Sequence, residues 1–439
     1  MTKGEEVHPA ASAATTKGRA TVLRLPITNI YDGSAYSAQL SIGSRGRVAN
    51  VLLDTGSSTL AVQSSVYDGT GDTALSTTSF AQLITYGAGG WAGPVVATDV
   101  RFGDPGNAIV LKQASLAIAV IQEGSLGNVN GVMGLAYGGE NPAYDFAGYF
   151  ADKGSPNTTL PWPFGAPAWD RFLSEFQTIV QSDAVARKEV APYLDQLENN
   201  GLLPNKFAFY TLRSSVSMRL GDDQGALASD PLNSGVFVLG GGEEQDDLYE
   251  GEFVSVAVVH DLFYNTNLTS VRVEGCAAVA AARLQSAFRT SLISNAIIDS
   301  GNDALRLASD VYHAVLAGFA ELNPAFAAAV QAAQKGSIAT ARLNLAAWPK
   351  IYFTFSGVNG EDVELAIAPN TYWQQDFPKA GQSTFKITGP LLAANQSNLG
   401  LPLLNNYYTV FDRSQGSQGV VRFAPIKLPA PIPGDAHGG

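Results

Sequence analysis

One short pattern occurs twice in this chain, with its two aspartates 245 residues apart. Asn50-Val51-Leu52-Leu53-Asp54-Thr55-Gly56-Ser57-Ser58-Thr59-Leu60 returns as Ala296-Ile297-Ile298-Asp299-Ser300-Gly301-Asn302-Asp303-Ala304-Leu305. In both copies apolar residues lead into Asp-(Thr/Ser)-Gly, and a leucine stands six positions after the aspartate. A second pair follows, Val132-Met133-Gly134-Leu135 and Asn398-Leu399-Gly400-Leu401, with glycines 80 and 101 residues beyond their aspartates. Repetition of this kind points to two lobes of similar design, each supplying one aspartate. The expected division is a first lobe over 19–208 and a second over 209–426, between flexible ends at 1–18 and 427–439.

The rest of the chain limits what those lobes can be. Short apolar runs bounded by Gly, Asp, Asn and Ser read as strands at 21–27, 36–42, 49–53, 95–102, 207–212, 236–239, 252–259, 351–355 and 407–412. Helical periodicity is confined to 169–188, 192–200 and 309–335, and the proline-bearing stretch 138–164 reads as a long surface insertion. The fold is therefore mostly β, with helices packed outside. A net charge of −12 without any Lys/Arg cluster gives a nucleic acid or anionic membrane nothing to bind. No apolar run reaches transmembrane length. The single cysteine, Cys276, permits no internal disulfide and reads as a buried small hydrophobe. Four scattered histidines give neither a metal-ligand spacing nor a Ser-His-Asp arrangement, so no metal and no cofactor is expected. Gly87-Ala88-Gly89-Gly90-Trp91-Ala92 fits a loose dinucleotide pattern, but the strand-like Pro94-Val95-Val96 follows where a helix is needed.

A strand that ends in Asp-(Thr/Ser)-Gly carries a carboxylate onto a tight loop. The glycine admits close approach of backbone, and the hydroxyl can brace the loop. One such loop is ordinary turn chemistry. Two in matching contexts can bring Asp54 and Asp299 together, where both cannot ionise at once and one proton is shared. The ionised carboxyl can then take a proton from a water while the protonated one polarises a peptide carbonyl.

On these residues the chain resembles the pepsin-like aspartic peptidases over about 21–426, nearly its whole length. Ile84-Thr85-Tyr86-Gly87-Ala88-Gly89 resembles the flap that closes over substrate, and the two apolar segments ending in Gly134 and Gly400 resemble the supports of the aspartate loops. With one cysteine, the chain looks most like the bacterial, disulfide-free shewasins. The resemblance implies a bilobal fold of two pseudo-symmetric, barrel-like lobes joined by an antiparallel interlobe sheet. It implies an Asp54/Asp299 dyad, supported by Thr55, Gly56, Ser57, Ser300, Gly301 and Asn302, with Tyr86, Gly87 and Ala88 in the flap. The implied activity is cleavage of extended peptides between bulky apolar residues at acidic pH, by a pepstatin-sensitive monomer. Without a signal segment the expected location is the cytoplasm, or the periplasm or exterior for a processed chain.

Four positions depart from the family. Asn302 stands where Thr or Ser usually bonds the second aspartate; its amide is expected to donate instead. Asp303 adds a carboxylate expected to raise the dyad's pKa, whereas Leu401, where an acid is common, is expected to lower it. Ala61 replaces the Trp that anchors the flap tyrosine, a role Trp91 could take over. A catalytically silent binding or inhibitory protein on the same fold is the alternative reading.

Overall fold

The computed structural model describes residues 22–86, 89–104, 106–123, 129–153, 157–390 and 395–429. Alternation of buried and exposed residues, as along Leu23–Thr28, builds strands with one face turned to the core. Most of them join one sixteen-stranded sheet. Its first half closes on itself where Ser37–Ile42 pairs both with Arg47–Asp54 and with Gly89–Asp104, Leu40 opposite Phe102. This is the barrel-like first lobe.

The sheet then continues antiparallel through Leu23–Thr28, Ser234–Leu239, Lys206–Tyr210, Tyr407–Asp412 and Val420–Pro425. Strands from the beginning, middle and end of the chain thus lie side by side, and this is the interlobe sheet. Phe207 and Phe411 stack across it with ring centroids 4.9 Å apart, and Tyr264 meets Phe411 edge-on at 4.6 Å. The main core runs through this layer into both lobes.

The internal repeat is visible in strand pairing. Arg47–Asp54 runs parallel to Gly131–Gly134, with Asp54 opposite Gly134, and Leu60–Gln63 pairs antiparallel to that same strand. In the second lobe Ala296–Ile298 runs parallel to Ser397–Leu399, and Leu305–Arg306 pairs antiparallel to it. Each aspartate therefore leaves a strand held by the apolar segment paired with it in the sequence. The architecture is mostly β and bilobal, as expected.

Three local expectations change. The periodicity over 169–188 yields a helix only over Trp169–Val180, after which Ala186–Glu189 pairs as a strand with Pro142–Asp145. An edge strand was available there, and pairing with it satisfies the backbone groups of Ala186–Glu189. The stretch 309–335 breaks into Ser309–Leu322 and Pro324–Ala333. The residue before a proline avoids the helical region, so Asn323 is extended (φ −160°, ψ 117°), and its side chain caps Ala325 N at 2.9 Å. The stretch 138–164 is no surface ornament. Its Phe146 and Phe150 are buried with Phe172 and Phe176 in a separate aromatic core roofed by Phe164 and Trp162. Cys276, expected to be buried, is only half-buried, and what burial it has pushes its thiol up.

Candidate active site

The two aspartate loops are bolted together by four hydrogen bonds that respect the pseudo-twofold. Thr55 N donates to Ser300 Oγ (3.0 Å) and Ser300 N to Thr55 Oγ1 (2.8 Å). The hydroxyls donate onward, Thr55 to Ile298 O (3.0 Å) and Ser300 to Leu53 O (2.8 Å). All four groups are buried, so none has water as an alternative partner. Apolar segments hold the loops from behind. Leu135 N donates to Asp54 O (2.7 Å), and Asp299 N donates to Leu399 O (3.0 Å).

This clamp sets the two carboxyls face to face. A Cβ on Gly301 would stand 2.3 Å from Asp54 Oδ1, and one on Gly56 would stand 2.7 Å from both carboxyl oxygens of Asp299. Each glycine thus makes room for the opposite lobe's carboxyl. Asp54 Oδ1 accepts from Gly56 N (2.8 Å) and Asp299 Oδ1 from Gly301 N (2.9 Å). Ser57 Oγ donates to Asp54 Oδ2 at 2.6 Å. Burial above all, and then the charge of Asp299, raises the Asp54 pKa; the bonds from Ser57 and Gly56 pull the other way.

The second loop departs from expectation. Asn302 does not bond the Asp299 side chain. Its Nδ2 donates to Asn398 Oδ1 (2.8 Å), and Asn398 Nδ2 donates to Asp299 Oδ2 (2.6 Å). Asn398 is thus a site residue that the sequence reading missed. The available signal was an amide at the position where the first lobe has Val132. Leu401 is fully buried in the helix Leu401–Leu404, so no acid stands beside Gly400.

Asp303, expected to add its charge to the dyad, is paired instead with Lys386 at 2.6 Å. Lys386 is 5% exposed and lies over the Phe377 ring, which fixes its position. Lys386→Met keeps that packing and frees the Asp303 carboxylate. The pH profile of kcat/KM should then move upward by about half a unit, because an added negative charge disfavours ionisation. An unmoved profile would mean that Asp303 lies too far away to matter.

The flap tyrosine is anchored from an unusual side. Trp91 is buried above Ala61 with Ala117, Ala119 and Val132, filling the space that the small side chain leaves. Its indole N–H donates to Tyr86 Oη at 3.4 Å. Burial pushes the Tyr86 phenol well above its ordinary range. Trp91 thus holds the flap tyrosine by its indole N–H. Trp91→Phe keeps the ring and removes the N–H. We expect kcat/KM to fall about tenfold with little change in melting temperature. Gly87 and Ala88, the other expected flap residues, lie outside the described residues.

The paired loops, their crossing bonds and their apolar supports agree with an independent comparison. The family model described as eukaryotic aspartyl protease matches residues 35–150 and 226–425. The chain belongs to this family. A search of the curated proteins finds no match. Both aspartates of this aspartyl protease family member fall inside the matched segments, as do Tyr86, Trp91, Lys386 and Asn398.

Proposed function

We propose that the protein is an aspartic endopeptidase that cleaves extended peptides between bulky apolar residues at acidic pH, using a water activated by Asp54 and Asp299. The observation that carries this reading is the facing of two carboxyls across loops cross-bonded by Thr55 and Ser300. Two carboxyls so close share a proton. The ionised one takes a proton from water as the water oxygen attacks the scissile carbonyl carbon. The protonated one gives its proton to the carbonyl oxygen. Collapse of the resulting gem-diol expels the amine. The upward shift of Asp54 extends the range in which one proton is retained toward weakly acidic pH.

In this reading the lobes divide at about residue 208, the substrate lies between them as an added strand, and Tyr86 walls one pocket. The monomer and the bacterial, disulfide-free subtype belong to the same proposal; the single cysteine supports the latter. The case for a silent relative rested on Asn302, Asp303 and Ala61. Each has a counterpart here, in Asn398, Lys386 and Trp91, and this favours the enzyme.

The test is hydrolysis of a quenched peptide with a central Phe-Phe bond, from about pH 3 to 7, with and without pepstatin. Acidic cleavage abolished by the inhibitor is the expected result. A folded sample that cleaves nothing at any pH would overturn the reading.

A further inference from the structure

Residues 151–225 fall between the two stretches that follow the family pattern. Their aromatic rings nevertheless reach the flap, and reach it from behind. The flap strands Ser76–Tyr86 and Gly89–Asp104 pair with Leu83 opposite Ala92, Ile84 opposite Trp91, Thr85 opposite Gly90 and Tyr86 opposite Gly89. Side chains alternate between the faces, so Ile84, Tyr86 and Trp91 share the face that packs with Ala61. Ala81, Leu83 and Ala92 share the other, which packs into the aromatic core of Phe146, Phe150, Phe172 and Phe176.

The two ends of this outer face are held differently. At the base, Thr159 N donates to Thr78 O (2.8 Å), and Pro142–Asp145 pairs with the flap strand, Tyr144 opposite Ala81. At the far end, Trp169 opens the helix Trp169–Val180 and lays the edge of its indole on Gly90. A Cβ on Gly90 would stand 2.9 Å from Trp169 Cζ2 and 3.1 Å from Cη2. Gly90 is also paired with Glu123 on its other edge, so the ring bears on a fixed point one rung from the Tyr86–Gly89 pair. The flap strands thus lie between two tryptophans, Trp91 on the dyad side and Trp169 behind.

Resting on the peptidase reading, we propose that Trp169 is a positioning residue for substrate binding: its ring fixes the flap strands from behind and so holds Tyr86 at the pocket it walls. The gain is preorganisation. A two-stranded hairpin is marginal alone, and without support behind its far end the strands would be ordered at the expense of binding. The ring is itself held by Phe172, one turn further along the helix, with centroids 6.3 Å apart. The clamp between the aspartate loops and the Trp91–Tyr86 bond lie on the opposite side of the flap, so removing the ring leaves them in place. The loss should therefore fall on binding, shared by substrate and transition state, rather than on the chemical step.

Kinetics and hydrogen exchange on the full chain test the role. Trp169→Ala should raise KM about tenfold with kcat changed much less. Trp169→Phe withdraws only the ring edge that reaches Gly90 and should shift KM the same way by about threefold. By mass spectrometry, amides of 81–86 and 89–94 should exchange faster in both variants, and those of the second-lobe strand Ile351–Ser356 should not. Phe150→Leu is the control. Phe150 is buried in the same aromatic core, but its ring neighbours are Phe146, Tyr149 and Phe164. That variant should melt lower and leave KM and flap exchange as they are. An unmoved KM in Trp169→Ala, a loss confined to kcat, or the same KM shift in Phe150→Leu would overturn the proposal. Should Trp169→Ala fail to fold, Trp169→Phe decides by the same criteria. Flap exchange separates the two readings. Faster exchange in a chain that cleaves nothing overturns only the peptidase reading, and cleavage with flap exchange unaltered overturns only the role of Trp169.

Discussion

Asp54→Asn is expected to lower kcat/KM by about four orders of magnitude or more and, at neutral pH, to raise the melting temperature. The two effects share one cause. The carboxyl is held in a buried site beside Asp299, so its folded pKa lies above the ordinary carboxyl value of about 3.8. Its contribution to stability is complete below about pH 3.8, where folded and unfolded chains are both protonated, and is lost as pH rises through the folded value. The wild-type chain should therefore melt higher in weak acid than at neutrality. Asparagine is neutral at every pH, so the variant lacks this loss, and its amide can offer Asp299 an N–H where the shared proton sat. It cannot give up a proton to a carbonyl oxygen, and turnover stops. Melting curves at about pH 4 and pH 7, run beside the cleavage assay, check both halves. A variant less stable than wild type at neutral pH would show that burying this carboxyl costs the fold nothing.

The sequence made the dyad legible because each aspartate loop is local. Strand, Asp, hydroxyl and Gly fall within a few residues, and the second copy removes the ambiguity of the first. The supports at Gly134 and Gly400 were legible for the same reason, as apolar runs ending in glycine. Asn398 was not. It reaches Asp299 from 99 positions away through a bond that depends on which way two amides turn, and that direction is set by Ala304 N. Helical periodicity over 309–335 hid a break because Phe326 and Val330 keep the apolar spacing past Asn323-Pro324, while backbone sterics decide the conformation there. The stretch around Phe146 reads as a surface insertion because its prolines mark turns, and its rings find partners only when 169–180 folds over them. Trp91 lay between these cases. The gap at Ala61 called for a partner and the sequence offered Trp91; packing places it there, from a strand two positions along the sheet from that of Ala61.

Gly56→Ala is expected to remove most activity while leaving the fold intact, because of what the added methyl would meet. Neither Gly56 nor Gly301 sits at a positive φ, so alanine strains no backbone at either position. At Gly56 the new Cβ falls 2.7 Å from the Cγ and both oxygens of Asp299, which form the end of a side chain. The carboxyl can move away, at the cost of its bonds from Gly301 N and Asn398 Nδ2 and its alignment with Asp54. A shift of about 1 Å in a reacting group costs about a hundredfold, so kcat should fall at least that far, with KM changed much less. Gly400→Ala makes the contrast. Its Cβ would lie 2.1 Å from Asn302 O and 2.4 Å from Ala304 O, backbone atoms of the loop itself, so relief requires unseating the second aspartate loop. That variant should lose stability as well as activity. Melting temperature and kcat measured together for the two alanines distinguish a displaced carboxyl from a displaced loop. A Gly56→Ala enzyme with wild-type kcat would mean that the opposed carboxyls need not meet as closely as the glycines allow.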